Sequence, residues 1–299
     1  MDTIARRMLE RFEKAKTNRV MFEGLFEECF EYALPMRQSF FHESPGQRRD
    51  DKIFDETAVV GTQEFASRLQ SGLVPNFARW ADFIAGSEVP PEQQDEVNNN
   101  LDEVTEYVFE IIQNSNFGQE VHESFMDLAV GTGVLLVEEG DAVNPIRFNA
   151  IPLPSVYLDT GADDKIDHVY RQRTLKYSDL PVAYQKAVFQ EKTAKAIIDQ
   201  PDGKVKIVEM VCRNYEKLNE DKFDFYVINV PEQEMILQDQ FVGVGSNPYV
   251  CFRWSKASGE IYGRGPLINA LSAIKTTNLT IELVLENAQM AISGIYQMD

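Results

Sequence analysis

Ser258-Gly-Glu-Ile-Tyr-Gly-Arg-Gly-Pro266 is a glycine-broken turn, and the apolar run that follows it to Ile292 decides how the rest of the chain is read. Pro266 suits the first turn of a helix, where its missing N–H costs nothing. Apolar side chains then recur at Leu267, Leu271, Ile274, Ile281, Leu285, Ala288 and Ile292, a three-and-four spacing with Asn278 as the polar intruder on the seam. Only three charges fall in the span, Lys275, Glu282 and Glu286. So few charges predict a helix covered on more than one side. At 1.5 Å per residue it is roughly 40 Å long. Ser272, Thr276, Thr277, Asn278 and Thr280 argue against a membrane span. The pattern leaves two readings open: a buried core helix, or a strut packed against copies of itself in an oligomer.

The 299 residues are enough for one or two domains with a sizeable core, and 43% hydrophobic residues is ordinary for a globular chain. The N-terminus leads into an amphipathic stretch with acidic residues rather than an apolar signal. Cys29, Cys212 and Cys251 are scattered and odd in number, which fits a reducing interior better than a disulfide framework or a zinc site. The net charge of −19 opposes tight, nonspecific wrapping of DNA, because the phosphates are repelled. It is compatible with a protein that DNA slides past without sticking.

Along the chain, Thr3 to Ala33 reads as a long helix with Ile4, Met8, Phe12, Phe22, Leu25, Phe26, Cys29 and Phe30 on its apolar side, stopped at Leu34-Pro35. Met36 to Lys52 reads as a polar surface loop. Asp55 or Thr57 caps a second helix to about Leu73, and Phe77–Ala85 reads as a short strand. Pro90-Pro91-Glu92 opens a third helix to about Asn114, with Val97, Leu101, Val104, Val108, Ile111 and Ile112 on one side. A fourth runs from Gln119 to Val130. The period then changes. Val134–Glu138, Ile146–Ile151, Val156–Leu158 and His168–Leu175 are strand candidates. Ser178-Asp179 caps a helix to about Ile198, and Lys204–Tyr215, Phe223–Val230, Met235–Gln238 and Tyr249–Trp254 complete a largely antiparallel set. The expected class is α+β, a helical N-terminal layer and a mainly antiparallel sheet before the terminal helix.

For catalysis, Asp159-Thr-Gly-Ala-Asp-Asp164 resembles the active-site loop of the retroviral aspartic proteases, in which two such aspartates share a proton and activate water. Ile261-Tyr-Gly-Arg-Gly265 is a loose echo of that family's helical Gly-Arg-Asn/Asp segment. Against this, Gly265 stands where Asn or Asp belongs, a whole predicted helix lies between the two motifs, and there is no glycine-rich flap. The alternative is a hairpin turn, since Asp, Thr and Gly are turn formers. Gly263-Arg-Gly265-Pro and Gly131-Thr-Gly133 lack what a phosphate cradle needs and read as tight turns. His42, His122 and His168 are far apart, and His122-Glu123 lacks a zincin's second histidine. Arg6-Arg7 and Arg48-Arg49 read as ordinary surface charges. No catalytic, cofactor-binding or metal residues emerge.

Several blocks, in order, resemble the portal, or head-to-tail connector, proteins of short-tailed double-stranded DNA phages. They are Leu69-Gln-Ser-Gly-Leu-Val-Pro75, Glu123–Leu136, Ile151–Asp159 with Val169–Arg173, Leu180–Val188, Asn247–Trp254 and Gly259–Pro266 with its helix. The resemblance implies a portal fold: residues 1–258 as an α+β wing, 259–292 as a stem helix, and 293–299 as the start of a clip. The rest of the clip, a second stem helix, a tunnel loop and a crown would be absent. It further implies a structural ring protein, usually a dodecamer, at one capsid vertex, assembled in the host cytoplasm. Double-stranded DNA passes through its channel during packaging and ejection without sequence-specific binding. Capsid and scaffolding proteins, terminase and tail adaptors are the implied partners, with no enzymatic activity, cofactor, metal or membrane. Arg264, Lys275, Glu282 and Glu286 are the residues expected at an oligomer interface or channel. An aspartic protease using Asp159 and a monomeric α+β binding module are the alternatives.

Overall fold

The computed structural model describes residues 3–41, 51–161, 164–215 and 221–294. Its helices are α1 (Thr3–Ala33), α2 (Thr57–Leu73), α3 (Gln94–Asn114), α4 (Phe117–Val130), α5 (Leu180–Ala183), α6 (Glu191–Asp199) and α7 (Pro266–Ser293). Its strands are β1 (Thr132–Glu139), β2 (Ile146–Ala150), β3 (Val156–Thr160), β4 (Ile166–Lys176), β5 (Lys204–Arg213), β6 (Lys222–Asn229), β7 (Glu234–Val242) and β8 (Tyr249–Arg253). The α+β class follows. The chain divides into two compact units, and α1 contributes to both.

The first unit takes residues up to Gly24, Ile151–Cys251 and Lys256–Tyr262. It holds a five-stranded antiparallel meander, β3-β4-β5-β6-β7. Central β5 is buried on both faces from Ile207 to Cys212, where the sequence is apolar apart from Glu209. One face, with Val208, Met210 and Cys212, meets Ala5, Met8, Phe12 and Ala15 of α1. The other, with Val205 and Ile207, meets Leu180 and Tyr184. Each fully buried large side chain contributes roughly 1.5–3 kcal/mol. Glu209 is buried on that second face. Its carboxylate takes Arg173 at 2.8 Å, the hydroxyl of Tyr249 at 3.3 Å and the hydroxyl of Tyr184, so the charge is paired where the strand pattern alone places a lone acid.

Two expectations fail in this unit. The single helix from Ser178 to Ile198 is split into α5 and α6. Tyr184 leaves the helical path to reach Glu209, and the N–H of Val188 bonds the carbonyl of Ile236 on β7 at 2.9 Å. On α1, Ile4 is 43% exposed and Ala5 is buried instead. Arg19, polar and unmarked in the sequence reading, is buried to 2%. Its Nη1 donates to the carbonyls of Leu153, Pro154 and Val156 at 3.1, 2.8 and 2.8 Å. The guanidinium also pairs with Glu23 and lies 3.7 Å from the Tyr157 ring centroid.

The second unit takes Leu25–Ala150, Phe252–Ser255 and the chain from Gly263. Strands β1 and β2 are antiparallel, in a sheet of order β2-β1-β8. Ala66 of α2 and Val121, Phe125 and Leu128 of α4 form its core, with Phe252 packed against them. Phe77–Ala85 is not a strand. Its N–H groups find side chains rather than a ladder: Phe83 donates to Thr105 Oγ1 at 3.2 Å and Ala85 to Asn98 Oδ1 at 2.8 Å, while Trp80 stacks on Phe117. The segment is a strap along α3. That helix buries Thr105 and Phe109, whereas Val104, placed on the apolar side by spacing, is 49% exposed. Asp55 helps start α2 by accepting from the Thr57 hydroxyl at 2.7 Å, although the capping position itself is Glu56. Of the expected loop, His42, Pro45-Gly46 and Arg48-Arg49 lie outside the described residues, as do Ala162-Asp163 and the last five positions.

Candidate functional site: the root and the free half of the terminal helix

Two glycine motifs that read separately as tight turns lock together at the start of α7. The N–H of Gly265 donates to the carbonyl of Val130 at 2.8 Å, and that of Gly263 to the hydroxyl of Thr132 at 2.9 Å. A Cβ on Gly131 would lie 2.1 Å from the Gly263 carbonyl oxygen, and one on Gly265 would lie 2.1 Å from that of Ala129. Only glycine permits this backbone-on-backbone approach. The strand end is tied to the same point, since Trp254 donates to the carbonyl of Gly131 and Arg264 to that of Ser255, each at 3.0 Å. The turn thus fixes where α7 leaves the α4–β1 junction, and Pro266 follows at its first position.

A second fixture lies midway along the helix. Asn278 is 6% exposed. Its Oδ1 accepts from the N–H groups of Phe54 and Asp55 at 2.7 and 3.1 Å, and its Nδ2 donates to the carbonyl of Lys52 at 2.9 Å. The intruder on the apolar seam is therefore a clamp on the turn before α2. Leu267 and Leu271 are buried between the two fixtures. Thr276, Thr277 and Thr280 bond back to carbonyls four residues earlier, so their hydroxyls are satisfied by the helix itself.

Beyond Asn278 the character changes. Leu279 is 53% exposed, Leu283 48%, Val284 60% and Leu285 53%, and Met290 and Ile292 are exposed as well. The expected core positions Leu285 and Ile292 are thus uncovered in the single chain, and the exposed residues spread around the helix. A monomeric soluble protein rarely leaves so long an apolar surface open.

Of the residues singled out from sequence, Arg264 is exposed in the glycine turn and Lys275 lies 3.2 Å from Glu28 in the same unit. Glu282 is half-buried and Glu286 exposed, both on the free half. Asp159 is the next-to-last residue of β3, opposite His168, its Oδ1 accepting from the N–H of Thr160 at 2.9 Å where the register shifts. His122 bonds Gln70 at 3.1 Å, a structural role. Burial pushes the Cys29 thiol up to about 12 and the Cys212 thiol to about 11, so both are poor nucleophiles. Among the described residues no cluster of three metal-ligating side chains occurs, and no helix is long and apolar enough to cross a membrane. The glycine lock and the Asn278 clamp were missed by sequence reasoning. Only the recurrence of glycine pairs in two distant stretches hinted at the former.

The chain is similar to the probable portal protein of Bordetella phage BPP-1, 20% identical over 281 residues, which is 90% of this chain and 50% of that protein. It spans about half the length of this curated relative. The family profile described as bacteriophage head to tail connecting protein matches residues 5–299. The chain belongs to that family.

Proposed function

We propose that this chain acts as a portal: a structural ring protein at a capsid vertex, through which double-stranded DNA passes during packaging and ejection. Terminase, tail adaptors, capsid and scaffolding proteins dock on it, and twelve copies close the ring. It has no catalytic role of its own. In this reading 1–258 is the wing, 259–292 the stem helix and 293–299 the start of the clip. The family membership supports it, and the observation that carries it is the free half of α7, anchored at one end and apolar around its exposed surface. Such a helix is stable in water when neighbouring copies cover it, and a ring needs one face of each subunit to meet a different face of the next. The net charge of −19 keeps passing DNA from adsorbing. Arg264, Glu282 and Glu286 are assigned to the subunit interface or channel, with Lys275 held by Glu28 in the same chain until assembly rearranges it.

The experiment is native mass measurement of the protein beside its Leu283→Glu/Leu285→Glu variant. Both positions are about half exposed, so the variant should fold with an unchanged circular dichroism spectrum. A closed oligomer that the variant loses supports the reading. An assembly indifferent to the change removes α7 from the interface.

A further inference from the structure

Charge in this molecule is segregated in a way that the free half of α7 does not explain. Helix α3 carries six carboxylates, Asp95, Glu96, Asp102, Glu103, Glu106 and Glu110, and no lysine or arginine. Among the described residues only Asp102 has an ion-pair partner, Arg79 of the strap. On the same helix Tyr107 is 65% exposed and Val104 49%, and the strap beside it exposes Phe77 and Ile84. Glu103, Val104, Tyr107 and Glu110 stand three or four residues apart and so share one face. The result is an aromatic knob with an acidic collar.

The complementary surface is on α1. Between residues 6 and 16 the helix has five bases and two acids, a local net charge of +3 in a chain of −19. Glu10 is engaged by Arg6 at 3.3 Å and Glu13 by Lys16 at 3.9 Å. Arg7, Arg11 and Lys14 form no ion pair among the described residues.

We propose that the α3 face of one copy docks on the α1 face of the next, with Glu103 and Glu110 of α3 facing Arg7, Arg11 and Lys14, which stand three or four residues apart and so share one side of α1. The occupant is a second copy of this chain because the two faces are opposite in charge, and Glu103 and Glu110 on one and Arg7, Arg11 and Lys14 on the other have no ion-pair partner among the described residues. Such a contact is heterologous, so it closes a ring or runs on as a filament. This inference rests on the ring reading above and adds which surfaces meet.

The experiment compares sedimentation of the full chain with three variants: Glu103→Lys/Glu110→Lys, Arg7→Glu/Lys14→Glu, and all four changes in one chain. Every substituted side chain is on the surface, and circular dichroism checks the fold. Each single-face reversal is expected to weaken association by about tenfold or more, and the four-fold swap to recover most of the loss. Association of the unaltered protein should also fall at ~1 M salt, where the Debye length is about 3 Å. Reversals that leave assembly unchanged, or a swap that fails to restore it, overturn this pairing of faces while the ring stands. An unaltered chain that stays monomeric at all concentrations overturns the ring reading, and this inference with it.

Discussion

Replacing Asn278 by Leu sets two accounts of α7 against each other, because they predict opposite signs. If α7 is a uniform apolar seam, Leu completes the three-and-four pattern and stabilises, as removing a polar residue from a coiled-coil core position does. In the structure Asn278 is instead the hydrogen-bonding partner of Phe54 N–H, Asp55 N–H and Lys52 C=O. Leu removes all three bonds, a loss of about 3 kcal/mol at roughly 1 kcal/mol each. Its gain in apolar burial, at most about 2 kcal/mol, is reduced because the site is lined by backbone polar groups. The net expectation is destabilisation of about 1–3 kcal/mol. Asn278→Asp is a useful companion. It still accepts from both N–H groups but has no donor for the Lys52 carbonyl and places oxygen against oxygen there. Hydrogen exchange of the Phe54 and Asp55 amides is the assay, at fixed protein concentration because assembly shifts apparent stability. The clamp predicts that protection of these amides falls by about tenfold in the Leu variant, with a smaller fall for Asp. Unchanged or increased protection in the Leu variant would refute the reasoning.

Gly131→Ala should push the Gly263–Gly265 turn off the α4–β1 junction and destabilise the second unit by roughly 2–4 kcal/mol, through lost backbone hydrogen bonds and strain. Faster proteolysis between Arg253 and Pro266 would register it. Arg19→Met removes the donor of three buried carbonyls, Leu153, Pro154 and Val156, and should cost about 3–5 kcal/mol in urea unfolding. The third concerns pH. Burial, then the positive charge of Arg11, holds the His168 imidazole below its ordinary value of 6.5, so the unfolded chain takes up a proton at a pH where the folded one does not. Stability then rises with pH between the depressed folded value and 6.5 and is constant above it. His168→Gln should flatten that slope in unfolding midpoints measured across the window, and an unaltered slope would assign it to other groups.

The sequence made some of this legible because period reports burial. The meander strands β4, β5 and β6 and the extent of α1 follow from apolar spacing alone, since one packed face leaves a regular mark. What it hid are features made by single long-range partners. Arg19 looks like any exposed helix arginine until three carbonyls of the Leu153–Val156 turn arrive beneath it. Tyr184 breaks a good helical pattern because Glu209 lies across the sheet. Phe77–Ala85 has strand composition, but its N–H groups are met by Thr105 and Asn98, and no ladder forms. The glycine lock needs Gly131 and Gly263–Gly265 together, and neither motif says anything of the other in isolation. For α7, apolar spacing is the same whatever covers the helix, and it does not tell that Leu279, Leu283, Val284 and Leu285 stand exposed beyond Asn278 in the single chain.

The most direct measurement is electron microscopy of the purified protein, with particle images averaged end-on. The account predicts rings of one subunit number around a central hole. A field of uniform monomers at every concentration, with the fold intact by circular dichroism, would contradict it.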